Sequence, residues 1–247
     1  MHKEYKDIEK IIKESSQDSY YDVVFKHPMS FYEERVMMSG VTGNDKVLDA
    51  GCGYGQWSVA LSKYNKEVIA LDHSKYMLQC ANILKKHCGV TNLSFMCGDL
   101  HVEVDSFDDM SFDAIWIWGA LMFLNRDHVL KEFNRILKPG GIIFVGSKNS
   151  LGRVFYKIFH LGLKKLDLRA IKREFKNIFY GRQTDYINNY SLLSQLEKDY
   201  GPYGFDVIAK DSEGFIDMEL KGRKRPIFKP KFLFLRSNIE FVLKKRG

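Results

Sequence analysis

The chain contains 247 residues, of which 45% are hydrophobic and 28% charged, a composition that supports a globular fold with a substantial core. The longest apolar run, Ala114 to Leu124, is much shorter than the ~20 residues of a membrane-spanning helix, and the charged stretch at 1–13 does not read as a signal peptide. The four cysteines include no Cys-x-x-Cys pair, so the sequence predicts neither a zinc site nor a disulfide framework and favours a cytoplasmic location.

The net charge of +7 is distributed unevenly along the chain. Residues 1–147 carry 16 Lys and Arg against 20 Asp and Glu, whereas residues 148–247 carry 22 against 11. A surface with this excess of base favours an anionic partner, which can be a small molecule with phosphate or carboxylate groups, a nucleic acid or an anionic membrane. A solvated basic face without a specific partner is the alternative.

The first elements of the chain predict a helical cap over residues 1–40. Residues 1–14 place apolar side chains at helical spacing among charged ones, which predicts an amphipathic helix. Two aromatic-rich stretches follow, at 19–25 and 31–36, and His27-Pro28 separates them.

The stretch from Val47 to Gly55 is an apolar strand that runs into Asp49 and three glycines at alternate positions. Glycine has no Cβ and tolerates positive φ, so such a backbone lets a ligand approach closely. The third glycine comes one residue too early for the dinucleotide fingerprint Gly-x-Gly-x-x-Gly, and a carboxylate at Asp49 would repel pyrophosphate. The turn therefore favours a ligand that carries a cationic group.

This Asp-x-Gly-x-Gly-x-Gly pattern resembles motif I of the class I S-adenosylmethionine (SAM) dependent methyltransferases. The resemblance implies that the methionine end of SAM lies against Asp49, Gly51 and Gly53, with Tyr54 as a further cofactor contact. It also implies that the N-terminal segment closes over the active site and supplies substrate-side or cofactor-side residues, for which the candidates are Tyr21, His27 and Tyr32. Plain core packing is the alternative for each of these three.

From Lys46 onwards strands and helices alternate, which predicts a parallel sheet covered on both faces. The second strand, 67–71, ends at Asp72, where a doubly wound fold places a carboxylate on the ribose hydroxyls. The third strand, 93–96, is followed by Gly98-Asp99-Leu100, which resembles the family's adenine site and makes Asp99 and Leu100 cofactor candidates.

The fourth strand, 112–118, ends at Ile117 and Trp118, which by the same resemblance face the methionine portion and the transferred methyl. A tryptophan beside a sulfonium offers a cation–π contact, although simple packing is the alternative. Helical periodicity at 130–137 then leads into Lys138-Pro139-Gly140-Gly141 and an apolar fifth strand at 142–145, a feature that recurs in the same family.

The remaining residues predict the completion of the sheet and an insertion. A helix at 192–200 and a strand at 204–209 precede a seventh strand at 239–243, which we expect to insert antiparallel at the sheet edge. The predicted fold is thus α/β, with a doubly wound, mostly parallel, seven-stranded sheet, a SAM-binding core at 41–149 and a C-terminal completion at 191–247. Residues 150–190 read as two basic amphipathic helices that form a lid, with contact to an anionic membrane as the alternative.

Methyl transfer requires mainly that the two reactants be held in line and that water be excluded, so a general base is optional. If a base is used, the candidates are His101, His128, His160 and Asp127. The sequence lacks the Asn/Asp-Pro-Pro-Tyr/Phe segment of amino-nucleobase methylation, a Pro-Cys nucleophile and paired acids for magnesium, which argues against a nucleic-acid acceptor and against a metal.

These features favour a SAM-dependent methyltransferase that yields S-adenosylhomocysteine (SAH) and acts on an oxygen or nitrogen of a small or carrier-linked, anionic metabolite. Two alternatives remain from the sequence. One is an RNA methyltransferase that binds through its basic C-terminal half, and the other is a SAM-binding partner subunit without catalysis.

Overall fold

The computed structural model describes residues 24–148, 196–219 and 238–247, together with positions 194, 222 and 224. The predicted helix at 1–14, the insertion at 150–190 and the candidates Tyr21 and His160 lie outside the described residues. Within these described ranges, no helix is both long and apolar enough to cross a membrane.

Seven strands form one sheet in the order β3-β2-β1-β4-β5-β7-β6. The first five pair in parallel, and β7 pairs antiparallel with both β5 and β6. This confirms the predicted doubly wound, mostly parallel sheet. The strands are β1 Lys46–Ala50, β2 Glu67–Asp72, β3 Leu93–Cys97, β4 Phe112–Trp118, β5 Leu137–Lys148, β6 Phe205–Ser212 and β7 Asn238–Lys245.

The seventh strand is antiparallel as predicted, but it lies one position inside the sheet and β6 forms the edge. Burial explains the order. Five consecutive residues of β7, from 239 to 243, are buried, whereas in β6 only Phe205 is buried and half-buried and exposed residues alternate along much of the strand. A strand that is buried on both faces suits the interior of a sheet, whereas a strand with many exposed residues tolerates an edge position.

The helices cover both faces of this sheet. They are α1 Met29–Ser39, α2 Gln56–Ser62, α3 Lys75–His87, α4 Leu100–Glu103, α5 Arg126–Ile136 and α6 Leu196–Tyr200. On one face, side chains of α1, α2 and α3 pack against Trp116 and Phe144, whose rings stack with centroids 4.1 Å apart. On the other face, α5 and α6 pack against Ile117 and Val145. Neighbouring strand residues therefore point into different cores.

Helix α5 begins four residues earlier than the predicted helix at 130–137 because Asn125 caps it, accepting a hydrogen bond from the His128 amide at 3.4 Å. Strand β5 follows α5 directly. The segment Lys138–Gly141, which the sequence predicts to end the helix, therefore lies within β5 and interrupts the regular pairing of β5 with β4. Leu137 pairs with Phe112, and regular pairing resumes only between Ile142 and Ala114. The positive φ of Gly140, 75°, permits this excursion.

Candidate functional site

The carboxyl ends of the parallel strands meet at one rim of the sheet, and the predicted cofactor residues lie along it. The register places Asp49 beside Trp116 of β4 and Asp72 beside Cys97 of β3. Asp99 follows β3 by two positions, and Trp118 ends β4. In open α/β sheets, the crevice outside these strand ends is the usual ligand site.

The glycine turn folds back on β2. The amides of Gly51 and Cys52 both donate to the carbonyl of Leu71, at 2.8 and 3.0 Å. Gly51, Gly53 and Gly55 have φ values of 79°, 54° and 76°, which a residue with a side chain adopts at a cost. Space adds a second requirement at Gly51, because a Cβ there would lie 2.5 Å from the Cβ of Ala120 in the segment after β4.

Asp49 is almost completely buried behind this turn. Its Oδ2 accepts a hydrogen bond of 2.6 Å from the hydroxyl of Ser58 on α2. Burial raises the pKa of the Asp49 carboxyl, the Ser58 hydrogen bond lowers it and the negative charge of Asp72 raises it, which together give a pKa of about 7. A cation brought close to this carboxylate would therefore gain a strong partner.

Asp72 connects the glycine turn to the start of α3. Its Oδ2 accepts from the Gly53 amide at 2.8 Å, and its Oδ1 accepts from the Ser74 amide at 2.9 Å. A carboxylate has about four acceptor positions, so these two bonds leave capacity for hydroxyl groups of a ligand. The predicted contact with a ribose is compatible with this arrangement.

Asp99 caps α4, while Leu100 enters the core. The Asp99 Oδ1 accepts from the His101 amide at 2.9 Å and lies 3.0 Å from Nδ1 of the His101 ring. These bonds lower the pKa of the Asp99 carboxyl, whose side chain is 62% exposed. Leu100 is buried against the α5 face of the sheet. Asp99 thus presents an ionised, accessible carboxylate at the rim.

The structure separates the two residues at the end of β4. Ile117 is buried in the α5-side core, whereas Trp118 is half-buried on the opposite face. The Trp118 ring covers Gly146 so closely that a Cβ on that residue would overlap it, and it lies 5.9 Å from the ring of Trp57. Tyr54 is fully buried and packs edge-on against Phe25, with ring centroids 5.8 Å apart.

The described cap residues belong to an aromatic cluster. The ring of Tyr32 lies 4.8 Å from that of Trp57, and its hydroxyl donates to the carbonyl of Val24 at 2.6 Å. These contacts of Tyr32 are core packing, the alternative to a substrate-side role for this residue. His27 is half-buried and stacks on Phe31 at 4.2 Å, and burial lowers the pKa of its imidazole.

Two of the described base candidates carry well-defined hydrogen bonds. His101 Nε2 accepts from the Asn125 amide at 2.8 Å, so this ring has no free lone pair for proton abstraction. Asp127 lies 2.8 Å from Lys131 Nζ and accepts from the Tyr203 hydroxyl at 2.9 Å, and these bonds lower the pKa of the Asp127 carboxyl.

The third described candidate, His128, lies with Nε2 3.1 Å from the His101 carbonyl and 3.0 Å from Asp105 Oδ1. The described part of the chain contains no group of three or more His, Cys, Asp and Glu side chains that could hold a metal ion.

Three residues at the site were not predicted from the sequence. Ser74 could have been recognised, because a serine one residue before an amphipathic helix is a capping signal. Ser58 is a polar residue in the wholly buried helix α2, a weak signal. Ala120 has no local signal, because its contact with Gly51 depends on tertiary packing.

Comparisons of sequence and of structure with known proteins both find similarity to methyltransferases. Residues 48–145 match the family described as a methyltransferase domain. Demethylmenaquinone methyltransferase of Staphylococcus aureus is 38% identical over 117 residues, which are 45% of this chain and 47% of that protein. The S-adenosylmethionine dependent methyltransferase of Mesorhizobium loti superposes with a TM-score of 0.57 at 16% identity, over 89% of this chain and 99% of that one.

The match thus spans about half the length of the curated relatives, and the structural likeness concerns the fold. The cyclase SpnF illustrates this distinction, since it superposes with a TM-score of 0.59 at 16% identity over 88% of this chain and 80% of its own. One fold can support different reactions, so the reaction must be argued from the site.

Proposed function

We propose, from the methyltransferase-domain match over residues 48–145 and from the site geometry, that the chain is a class I SAM-dependent methyltransferase. It would transfer the methyl group of SAM to an oxygen or nitrogen of a small or carrier-linked, anionic metabolite in the cytoplasm. The observation that carries the proposal is the glycine turn bounded by Asp49 and Asp72, at the rim where the parallel strands end. The four cysteines, all free thiols, are consistent with a reducing compartment.

The residues at the rim fit SAM group by group. Gly51 and Gly53 give the turn a backbone with positive φ and no side chains, which can come close to the methionine end of a ligand. Asp49 is a buried carboxylate that no cationic side chain of the described residues compensates, which suits the ammonium and sulfonium charges of the cofactor. Asp72 retains acceptor capacity for ribose hydroxyls, and no described residue bonds Oδ2 of Asp99, which suits the exocyclic amine of adenine.

SAM, when bound, supplies a methyl group already activated by the sulfonium. The task of this chain is then to orient the two reactants and to exclude water. Trp118 and Trp57 form an apolar aromatic wall at the end of β4, on the same face as α1. Such a wall excludes water and offers a cation–π contact of about 0.5–2 kcal/mol to a positive charge.

The proposed anionic acceptor is supported by charge. Residues 148–247, which begin at the last residue of β5, carry 22 basic against 11 acidic residues. Oppositely charged ligands are attracted to such a surface before they bind. The name of the S. aureus relative gives demethylmenaquinone as its acceptor, but the alignment covers 47% of that protein, so it supports the methyltransferase domain and not the acceptor.

The test is transfer of radiolabelled methyl from SAM to a fractionated cell extract. We expect label in the anionic small-molecule or carrier-linked fraction, and weaker labelling by the Asp72→Asn variant at SAM concentrations below saturation. Asp108→Ala is the matched control, since Asp108 is an exposed carboxylate in the loop before β4.

Each other outcome of this experiment contradicts the proposal in a defined way. Label recovered in RNA, with retention that falls steeply as salt rises, would identify the RNA methyltransferase instead. SAM binding without transfer to any fraction would identify a non-catalytic partner subunit. Absence of SAM binding would remove both the cofactor assignment and the reaction.

A further inference from the structure

His101 occupies a position that its proposed use as a general base does not explain. It lies in α4, directly after the candidate adenine residues Asp99 and Leu100. Its ring reaches in two directions, with Nδ1 3.0 Å from Asp99 Oδ1 and Nε2 2.8 Å from the amide nitrogen of Asn125. The two partners are separated by 26 positions in the sequence, so the ring connects two different loops of the rim.

The hydrogen bonds define the protonation of this ring. The Asn125 amide can only donate, so Nε2 must be unprotonated and accept. Nδ1 then carries the proton and donates to the Asp99 carboxylate. The two nitrogens of the His101 ring are therefore not equivalent. A side chain that lacks an acceptor at the Nε2 position cannot make the bond to Asn125.

The second loop is the segment after β4, Gly119 to Asn125. At its first residue, the Gly119 amide donates to the carbonyl of Gly146 in β5 at 2.8 Å. At its last residue, the amide is held by His101. Between them, Ala120 lies against Gly51, where an added Cβ would come within 2.5 Å of the Ala120 Cβ. The segment therefore forms a cover over the glycine turn that is anchored at both ends.

We infer that His101 is a positioning residue of the cofactor pocket, which couples the adenine-side carboxylate of Asp99 to the cover that Ala120 forms over the glycine turn. This inference rests on the proposed function, because it assumes that Asp99 and Gly51 contact the two ends of SAM. It assigns His101 to cofactor binding and removes it from the candidates for proton abstraction.

Two substitutions separate the two hydrogen bonds of the ring. His101→Asn places an amide near the Nδ1 position and loses the acceptor for Asn125, whereas His101→Gln places an acceptor near the Nε2 position. We expect His101→Asn to weaken SAH binding, measured by calorimetry, about three- to tenfold, as for loss of one neutral hydrogen bond. His101→Gln keeps the acceptor for Asn125 but loses the bond to Asp99, whose side chain is 62% exposed, so we expect a smaller weakening of about two- to threefold. His87→Gln is the control, since His87 is exposed at the end of α3.

Equal affinity of the wild type and His101→Asn, or equal weakening by Asn and Gln, would overturn the inference while leaving the proposed function intact. If the wild type itself bound no SAH, the proposed function would fail first. Hydrogen exchange of the wild-type protein provides a second measurement that needs no variant. SAH should slow exchange of the Asn125 amide, and unchanged exchange at this position in the bound protein would also overturn the inference.

Discussion

Asp49 is a carboxylate whose environment changes its protonation. Burial, helped by the negative charge of Asp72, raises the pKa of this carboxyl well above its ordinary range, to about 7. The raised pKa means that the folded protein binds a proton more tightly than the unfolded chain, so ionising Asp49 lowers stability as the pH rises from about 4 to 7. A bound ammonium group would reverse this effect by favouring the ionised form.

The affinity for SAH should therefore rise with pH. Below pH 7 the neutral form of Asp49 predominates and attracts the ammonium group weakly, so we expect the dissociation constant to fall about tenfold between pH 6 and pH 8. Calorimetric titrations at pH 6, 7 and 8 measure the change. The Asp49→Asn variant should bind weakly with a flat pH dependence, and an equally steep dependence in this variant would assign the titration to another group.

Asp72 should contribute a charged hydrogen bond to the ribose. Asp72→Asn keeps the size of the side chain but replaces one carboxylate oxygen by an NH2 group, so it can keep only one of the two bonds from the amides of Gly53 and Ser74. We expect SAM affinity to fall about tenfold, which corresponds to a charged hydrogen bond of about 1.5 kcal/mol. Calorimetry with Asp108→Ala as the control measures this loss, and unchanged affinity in Asp72→Asn would exclude the ribose assignment.

Among the elements, the turn between β1 and α2 depends on the segment after β4. Gly51→Ala adds a Cβ at a φ of 79° and within 2.5 Å of the Ala120 Cβ. We expect both a backbone cost of about 1–2 kcal/mol and a steric cost, with a lower Tm and weaker SAH binding. Adding Ala120→Gly should relieve the steric part only. If the double variant were no more stable than Gly51→Ala, the two elements would not be in contact.

Helix α1 is joined to β7 by a buried ion pair. The Arg35 guanidinium contacts the Glu240 carboxylate, each side chain is 1% exposed, and Glu240 Oε2 also accepts from the Gly214 amide at 2.9 Å. Glu240 pairs with Gly146 in the register, so the ion pair lies in the same row of the sheet as Trp118. The ion pair therefore holds helix α1, which belongs to the N-terminal cap, close to Trp118 at the candidate methyl-transfer site.

Removing one partner of this pair should destabilise the fold strongly. Arg35→Met leaves the Glu240 charge buried and uncompensated, and we expect the free energy of unfolding in urea to fall by about 3–5 kcal/mol. The double variant Arg35→Met with Glu240→Gln should recover a large part of this loss, since glutamine is neutral and can still accept from Gly214. A loss below about 1 kcal/mol in the single variant would show that solvent reaches the pair.

For the molecule as a whole, ligand binding should appear as thermal stabilisation. A ligand at about 100 times its dissociation constant stabilises the folded state by about 2.7 kcal/mol, which corresponds to about 5–10 °C in Tm for a chain of this size. Differential scanning fluorimetry with SAH measures the shift, with adenosine monophosphate as a comparison ligand that lacks the amino acid. Equal shifts with both ligands would contradict the role of Asp49 at the methionine end.

The sequence alone determined the α/β class, the parallel strand series and the glycine turn, because apolar periodicity and the need for positive φ are properties of consecutive residues. Only the tertiary structure decided that β7 lies inside β6, that Ala120 covers Gly51 and that His101 holds the amide of Asn125. These features depend on groups that are distant in the chain. The raised pKa of Asp49 belongs with them, since the burial that causes it is created by packing against residues that no local pattern specifies.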